Sequence, residues 1–384
     1  MKFLKSVGKA LQLHKAYRYV QRKRKCAPSG REIRVLFAKI NREGDLPLTK
    51  RQAALWRRTI LRLRYMNSNA TLAAEGFTQN NIKRIRIVLN PIIPPNAPIL
   101  MCMVKNDLER IKLSVLHHRK IGIGHFVFLD NGSTDGTLKW LQKQSDVDLY
   151  QTTVLHNTNR RIGLFSRLVN HYGLNRWYAF LDSDELIAYP GMETKPISAL
   201  MQYAKKHNYT TLRTFMLDMY SKDKIFDESF SNYYDILKEN RYYDTLTYQE
   251  TIDSRYGISV KGGPRSRLLA EGSPQPELTK YALTYMQKGD CYNVHRAFPL
   301  HKNFTPCVYV LLHYKFLPWD LERAKQNVKA GLHYLGAVEY KRMLEGYHDK
   351  RVETFKNEQS AELCNSEDLR KIQILSEMDN KGHG

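Results

Sequence analysis

Between Ile99 and Leu181 the chain alternates short apolar runs with stretches of helical spacing. Ile99–Val104, His125–Leu129, Val147–Thr152 and Trp177–Leu181 are too short for ordinary helices and read as buried strands. Helical patterns fall between them, near Glu109–Lys120, from Asp135, and near Phe165–Gly173. Strand and helix in this rhythm predict an α/β fold, a Rossmann-like and mostly parallel sheet flanked by helices. Ligands of such sheets bind outside the carboxyl ends of the strands, so the polar residues there are the place to look for chemistry. Further on, Tyr209–Leu217 reads as another strand, 220–260 is tyrosine-rich and irregular, and 318–346 and 360–377 read as helical.

Upstream the pattern changes. In residues 1–25, Leu4, Val7 and Leu11 share one helical face while Lys and Arg fill the rest, which predicts a basic amphipathic helix. Residues 51–66 form a second, less regular candidate. The segment NPIIPPNAP, Asn90 to Pro98, removes amide donors and favours extended backbone, so a boundary is expected there. The expected division is a basic, largely helical region at 1–90, an α/β domain at 91–317 and a helical C-terminal region at 318–384.

Composition adds a sign to this outline. The chain has 384 residues, 42% of them hydrophobic, enough to bury a core and to exclude general disorder. Its formal charge is +23, and residues 1–90 hold 22 Lys or Arg against 4 Asp or Glu. A field of that kind implies an anionic partner: an acidic membrane leaflet, a phosphorylated glycolipid or nucleic acid. No nucleic-acid module is recognisable, which disfavours the last. The five cysteines include no CxxC pair, so neither a disulfide framework nor a zinc site is indicated. No run of about 18 apolar residues and no apolar leader before a cleavage site is present, so neither a membrane span nor export is expected. A cytoplasmic location, peripheral on the inner face of the membrane, fits these features.

RWYAFLDSDEL, Arg176 to Leu186, sets Asp182, Asp184 and Glu185 directly after a buried run. Crowded carboxylates repel one another unless a cation neutralises them, and hard oxygen ligands suit Mg²⁺ or Mn²⁺. The plainer alternative is an acidic helix N-cap. LDNGSTDGT, Leu129 to Thr137, follows the second strand; it can be a simple turn and cap, or it can bring Asp130 to a nucleoside.

Together, VKND (Val104–Asp107), HHRKIGIGHFVFLDNGSTDGT (His117–Thr137) and FLDSDEL (Phe180–Leu186) resemble the family 2 type of glycosyltransferase over about residues 99 to 190. The resemblance implies a GT-A type catalytic domain, a nucleotide-sugar donor, a glycan or glycolipid acceptor and transfer with inversion. It also implies a metal held through the Asp182-Ser183-Asp184 motif, with Asp107, Asp130, Asp135 and Asp182 near the donor. Asp107 departs from the Glu more usual at its position. KGGPRSRLL offers Lys261, Arg265 and Arg267 either as a grip on a pyrophosphate or phosphorylated acceptor, or as a solvated loop. His313, in the apolar run LLHYKF, is either a core histidine or a late metal ligand of the kind related enzymes supply. The general base that inversion requires has Asp218 as first candidate and Glu271 as second. This reading fits a bacterial enzyme of envelope polysaccharide or lipopolysaccharide synthesis. Its rivals are a sugar nucleotidyltransferase, disfavoured because ILMCMVKND carries no phosphate loop, and a basic binding protein without catalysis.

Overall fold

The computed structural model describes residues 82–88, 93 and 97–378, except 154–157, 228–232, 254–256, 289, 299 and 332–336. The helices expected at 1–25 and 51–66 lie outside the described residues.

A nine-stranded sheet organises the chain. Its strands are β1 (Lys83–Arg86), β2 (Ile99–Val104), β3 (Phe126–Asp130), β4 (Val147–Gln151), β5 (Arg176–Leu181), β6 (Glu185–Ala188), β7 (Thr211–Asp218), β8 (Thr279–Met286) and β9 (Val310–His313). They lie in the order β1-β4-β3-β2-β5-β8-β7-β9-β6. Parallel pairing joins β4 to β3, β3 to β2, β2 to β5 and β7 to β9. The strand β8 runs antiparallel between β5 and β7, which therefore point the same way, and β1 and β6 are antiparallel edges. The carboxyl ends of six strands thus share one edge of the sheet.

Helices cover both faces, which is why the central strands are apolar throughout rather than alternating. Leu100, Cys102, Phe126 and Phe128 meet Ile111 and Val115 of α1 (Leu108–Lys120), Leu141 of α2 (Thr137–Gln142), and Leu200 of the later helix Ser198–Lys206. Ile99, Met101, Val127 and Leu129 turn the other way, onto Leu164, Phe165 and Leu168 of α3 (Thr158–Tyr172). The expected mostly parallel α/β architecture is observed, with one difference at its start. Because Lys83–Arg86 pairs with β4, the sheet begins before the proline segment rather than after it.

The helix Ser198–Lys206 is α4, Tyr233–Glu239 is α5, Pro318–Ala330 is α6 and Val338–His348 is α7. The last two are the helices expected in 318–346, and they pack on the sheet region: Ala324, Met343 and Leu344 share a core with Tyr220, Phe226, Leu268 and Phe316. Residues 360–377, expected as helix, instead give a short strand, Ser360–Glu362, and a 3₁₀ turn, Ser366–Lys371. The strand pairs with Tyr242–Asp244, while the Asn365 and Asp368 side chains bond to nearby amides and compete with helical pairing. Among the described residues no helix is long and apolar enough to cross a membrane.

Candidate active site

The DSDE segment is not a helix cap. It turns the chain from β5 back into the edge strand β6, with the Asp182 amide donating to Glu185 Oε2 at 2.8 Å and the Glu185 amide to Asp182 O at 3.3 Å. Three carboxylates are thereby held at the carboxyl edge of the sheet, close to the ends of β2, β7 and β9.

The crowding among them is answered from within the chain. Lys280 of β8, with its side chain 0% exposed, puts Nζ 2.9 Å from Asp182 Oδ2 and 2.8 and 2.6 Å from the two oxygens of Glu185. Arg161 of α3 donates to Asp182 Oδ1 at 2.6 Å. Burial alone would raise the Asp182 pKa, but Arg161 and Lys280 outweigh it and hold the carboxyl well below the usual carboxylate range. Burial likewise raises Glu185, and there Lys280 does not fully compensate because Asp182 and Asp184 add to it. Charge crowding by itself therefore does not demand a metal at Asp182. Neither Lys280 nor Arg161 stands out in the sequence: one lies in a strand that the pattern does not reveal, the other beside a second arginine.

Asp184 faces a different group. Its Oδ2 lies 3.3 Å from His313 Nε2, and His313 Nδ1 donates to Asp218 Oδ1 at 2.6 Å. Register explains the meeting, since His313 of β9 stands level with Asp218 of β7 on one side and Glu185 of β6 on the other. Asp218 is completely buried, and Arg265 Nε donates to its second oxygen at 2.7 Å. Burial lowers the His313 pKa, but Asp184 and Asp218 together raise it above the ordinary value. Asp184, which burial would raise, is held low by His313 and Arg110.

This pair fits a divalent cation. With Asp218 accepting the Nδ1–H hydrogen bond, Nε2 offers its lone pair on the side of Asp184, whose side chain is 24% exposed. A carboxylate behind a ligating imidazole is the usual orienting arrangement, and one carboxylate and one imidazole suit Mn²⁺ or Mg²⁺ when a ligand's phosphates and waters complete the shell. Among the described residues, no group of three or more such side chains is gathered as a complete protein-only site.

Asp107, Asp130 and Asp135 also come together, at the ends of β2 and β3, but their carboxylates serve the loops. Asp130 accepts from the Gly132 and Ser133 amides at 3.0 and 3.1 Å. Asp135 accepts from the amides of Leu108 and Thr137 at 3.1 and 3.0 Å, tying one loop to the other. Asp107 accepts from Ser183 Oγ, Arg110 and Arg323, so α6 is bound to the same corner.

The remaining candidates are dispersed. Lys261 stands in the hairpin Tyr248–Asp253/Gly257–Gly262, opposite Gln249. Arg267 is bound to Asp244 at 2.7 Å and to Phe355 O at 2.7 Å, away from the carboxylates of the site. Arg265 alone of the three reaches the site, and it does so by supporting Asp218. Glu271 is exposed in the turn that follows. Asp218 lies at the centre of the site, but with both oxygens engaged and no exposed surface it holds His313 rather than facing a cleft. Glu339 of α7, not foreseen in the sequence, accepts from Arg265 Nη1 at 2.9 Å and lies 3.9 Å from Lys315 Nζ.

No family model matches the chain, and no curated protein matches it in sequence.

Proposed function

We propose that the chain is a GT-A type glycosyltransferase that moves a sugar from a nucleotide donor to a glycan or glycolipid acceptor with the help of Mn²⁺ or Mg²⁺. The observation that carries this reading is the Asp184–His313 pair, backed by Asp218, at the carboxyl edge of a mostly parallel sheet. The sequence resemblance around LDNGSTDGT and FLDSDEL supports it independently of that geometry.

In this reading Asp184 and His313 hold the cation, which when bound would neutralise charge on the departing nucleoside diphosphate. Asp218 is a positioning residue: it fixes the imidazole tautomer and acts through His313, not on the acceptor hydroxyl. Arg161 and Lys280 keep Asp182 ionised, and its 29% exposed side chain is free to accept a hydrogen bond from a donor hydroxyl. The loops tied together by Asp107, Asp130 and Asp135 form the rigid floor beneath the nucleoside.

Titration calorimetry with a panel of nucleoside diphosphates, with and without Mn²⁺, tests the reading. One nucleotide should bind only with the metal, and Asp184→Ala should weaken that binding at least roughly tenfold, as loss of a metal ligand demands. Binding that ignores both Mn²⁺ and the substitution would refute it.

The same proposal places residues 1–90 on an anionic leaflet, where each Lys or Arg near the surface contributes about 1 kcal/mol. The full chain is expected to sediment with phosphatidylglycerol vesicles and to be released by salt. Equal sedimentation with neutral phosphatidylcholine vesicles would contradict electrostatic docking.

A further inference from the structure

At the far end of the Asp184–His313–Asp218–Arg265 chain sits a cationic pair whose charge is met by a side chain able to leave. Arg265 is 5% exposed. Its Nε is committed to Asp218 and its Nη1 to Glu339, while Nη2 is buried and finds no hydrogen-bond partner among the described residues. A buried donor left without an acceptor is costly and calls for an explanation. Lys315, two residues beyond His313, lies 4.8 Å from the centre of the Tyr340 ring and 3.9 Å from the same Glu339 oxygen that Arg265 Nη1 reaches at 2.9 Å.

Glu339 differs from its partners in exposure. Its side chain is 46% exposed, whereas Arg265 and Lys315 are 5% and 15% exposed. The body of α7 is fixed, since Gly346 packs so closely on the turn carrying Arg265 that a Cβ there would lie 1.8 Å from Leu268 O. The Glu339 carboxylate can therefore rotate into solvent without moving the helix. A single carboxylate also satisfies the two cations incompletely, because it reaches Nη1 but leaves Nη2 bare.

We propose that Arg265 and Lys315 form a seat for a phosphate group, and that Glu339 occupies this seat as an internal carboxylate until a phosphorylated ligand displaces it. A phosphate offers more acceptor oxygens and more charge than a carboxylate, and it can reach Nη2 as well as Lys315 Nζ. Resting on the glycosyltransferase reading, the inference assigns this seat to the diphosphate of the donor. Glu339 then sets how tightly the site holds donor and departing diphosphate.

The test is calorimetric binding of inorganic pyrophosphate to the full chain, wild type against Glu339→Gln and Lys315→Met, in metal-free buffer. Thermal unfolding of each variant serves as a control for folding. Glu339→Gln should bind pyrophosphate roughly tenfold more tightly, and Lys315→Met roughly tenfold more weakly, the scale of one charge-assisted hydrogen bond gained or lost. Unchanged or weaker binding by Glu339→Gln, or no pyrophosphate binding by any form, overturns the inference. If nucleotides bind in an Asp184-dependent way while Glu339→Gln changes nothing, the inference falls and the glycosyltransferase reading stands. If pyrophosphate responds to Glu339→Gln and no nucleotide binds with metal, the seat is real and that reading falls.

Discussion

Replacing Lys280 by Met should destabilise the protein by about 3–5 kcal/mol, the cost of removing one partner from a buried ion pair. Methionine matches the length of the lysine stem and fills its channel through β8, so packing is largely kept. What disappears is the cation shared by Asp182 and Glu185, and Glu185 is left wholly buried beside two other carboxylates. For a chain of this size the loss corresponds to a fall in melting temperature of roughly 4–6 °C. The double variant Lys280→Met/Glu185→Gln should recover much of it, because the neutral amide no longer needs a counter-charge. A loss below about 1 kcal/mol in the single variant would mean that Glu185 is protonated in the folded state and that Lys280 neutralises Asp182 alone.

Acid should destabilise the fold well before its carboxylates titrate, through two histidines built in as neutral rings. His118 is completely buried; its Nδ1 donates to Ser114 O at 2.7 Å, and its Nε2 accepts from the Ile187 amide at 3.2 Å. A second proton would convert that acceptor into a donor facing a donor. Burial, with His117 beside it, pushes the His118 pKa well below its usual value. His295 donates from Nδ1 to Thr279 O at 3.1 Å, and burial with Lys280 and Arg296 nearby lowers its pKa to about 3. Both folded values lie below the unfolded one of 6.5, so below that pH the unfolded chain takes up protons that the folded chain refuses. Stability therefore falls as the pH drops, by about 1.5 kcal/mol from His295 between pH 6.5 and pH 5, with His118 adding in the same direction. His313, raised rather than lowered, is charged in both states over most of this window and nearly cancels. Urea unfolding at several pH values checks this: the slope should be shallower in His118→Gln than in the wild type. A wild-type curve flat between pH 6.5 and pH 5 would show that the folded protein accepts both protons.

What could be read from the sequence and what could not divide along a physical line. Ile99–Val104 and Trp177–Leu181 are legible because strands buried on both faces are continuous apolar runs, and their ends carry the acids that the fold gathers at one edge. Asp184 and His313 are legible as candidates, although only the register of β6, β9 and β7 brings them together. Lys280 is not, because its partners lie 98 and 95 residues earlier and β8 reverses direction inside the sheet. One signal was present: a lone lysine between Thr279 and the apolar run that follows has to meet a carboxylate if the run is buried. Asp130 illustrates the opposite limit. A strand-end aspartate before Asn-Gly looks the same in sequence whether it faces a ligand or clamps its own turn, and here it clamps the turn. The segment 360–377 shows how three residues paired to a distant strand escape any local pattern.

The place of β8 has a consequence for the order in which this protein is made. The strands β5 and β7 leave the ribosome with their facing edges unpaired, since the chain that fills the gap between them follows β7 by some sixty residues. Through that interval the nascent sheet has an open seam at its centre, where strand edges invite wrong partners. The same interval leaves Glu185 without its cation and Asp182 with Arg161 alone. Completing the seam and neutralising the acids are thus a single late event of synthesis, brought about by one strand.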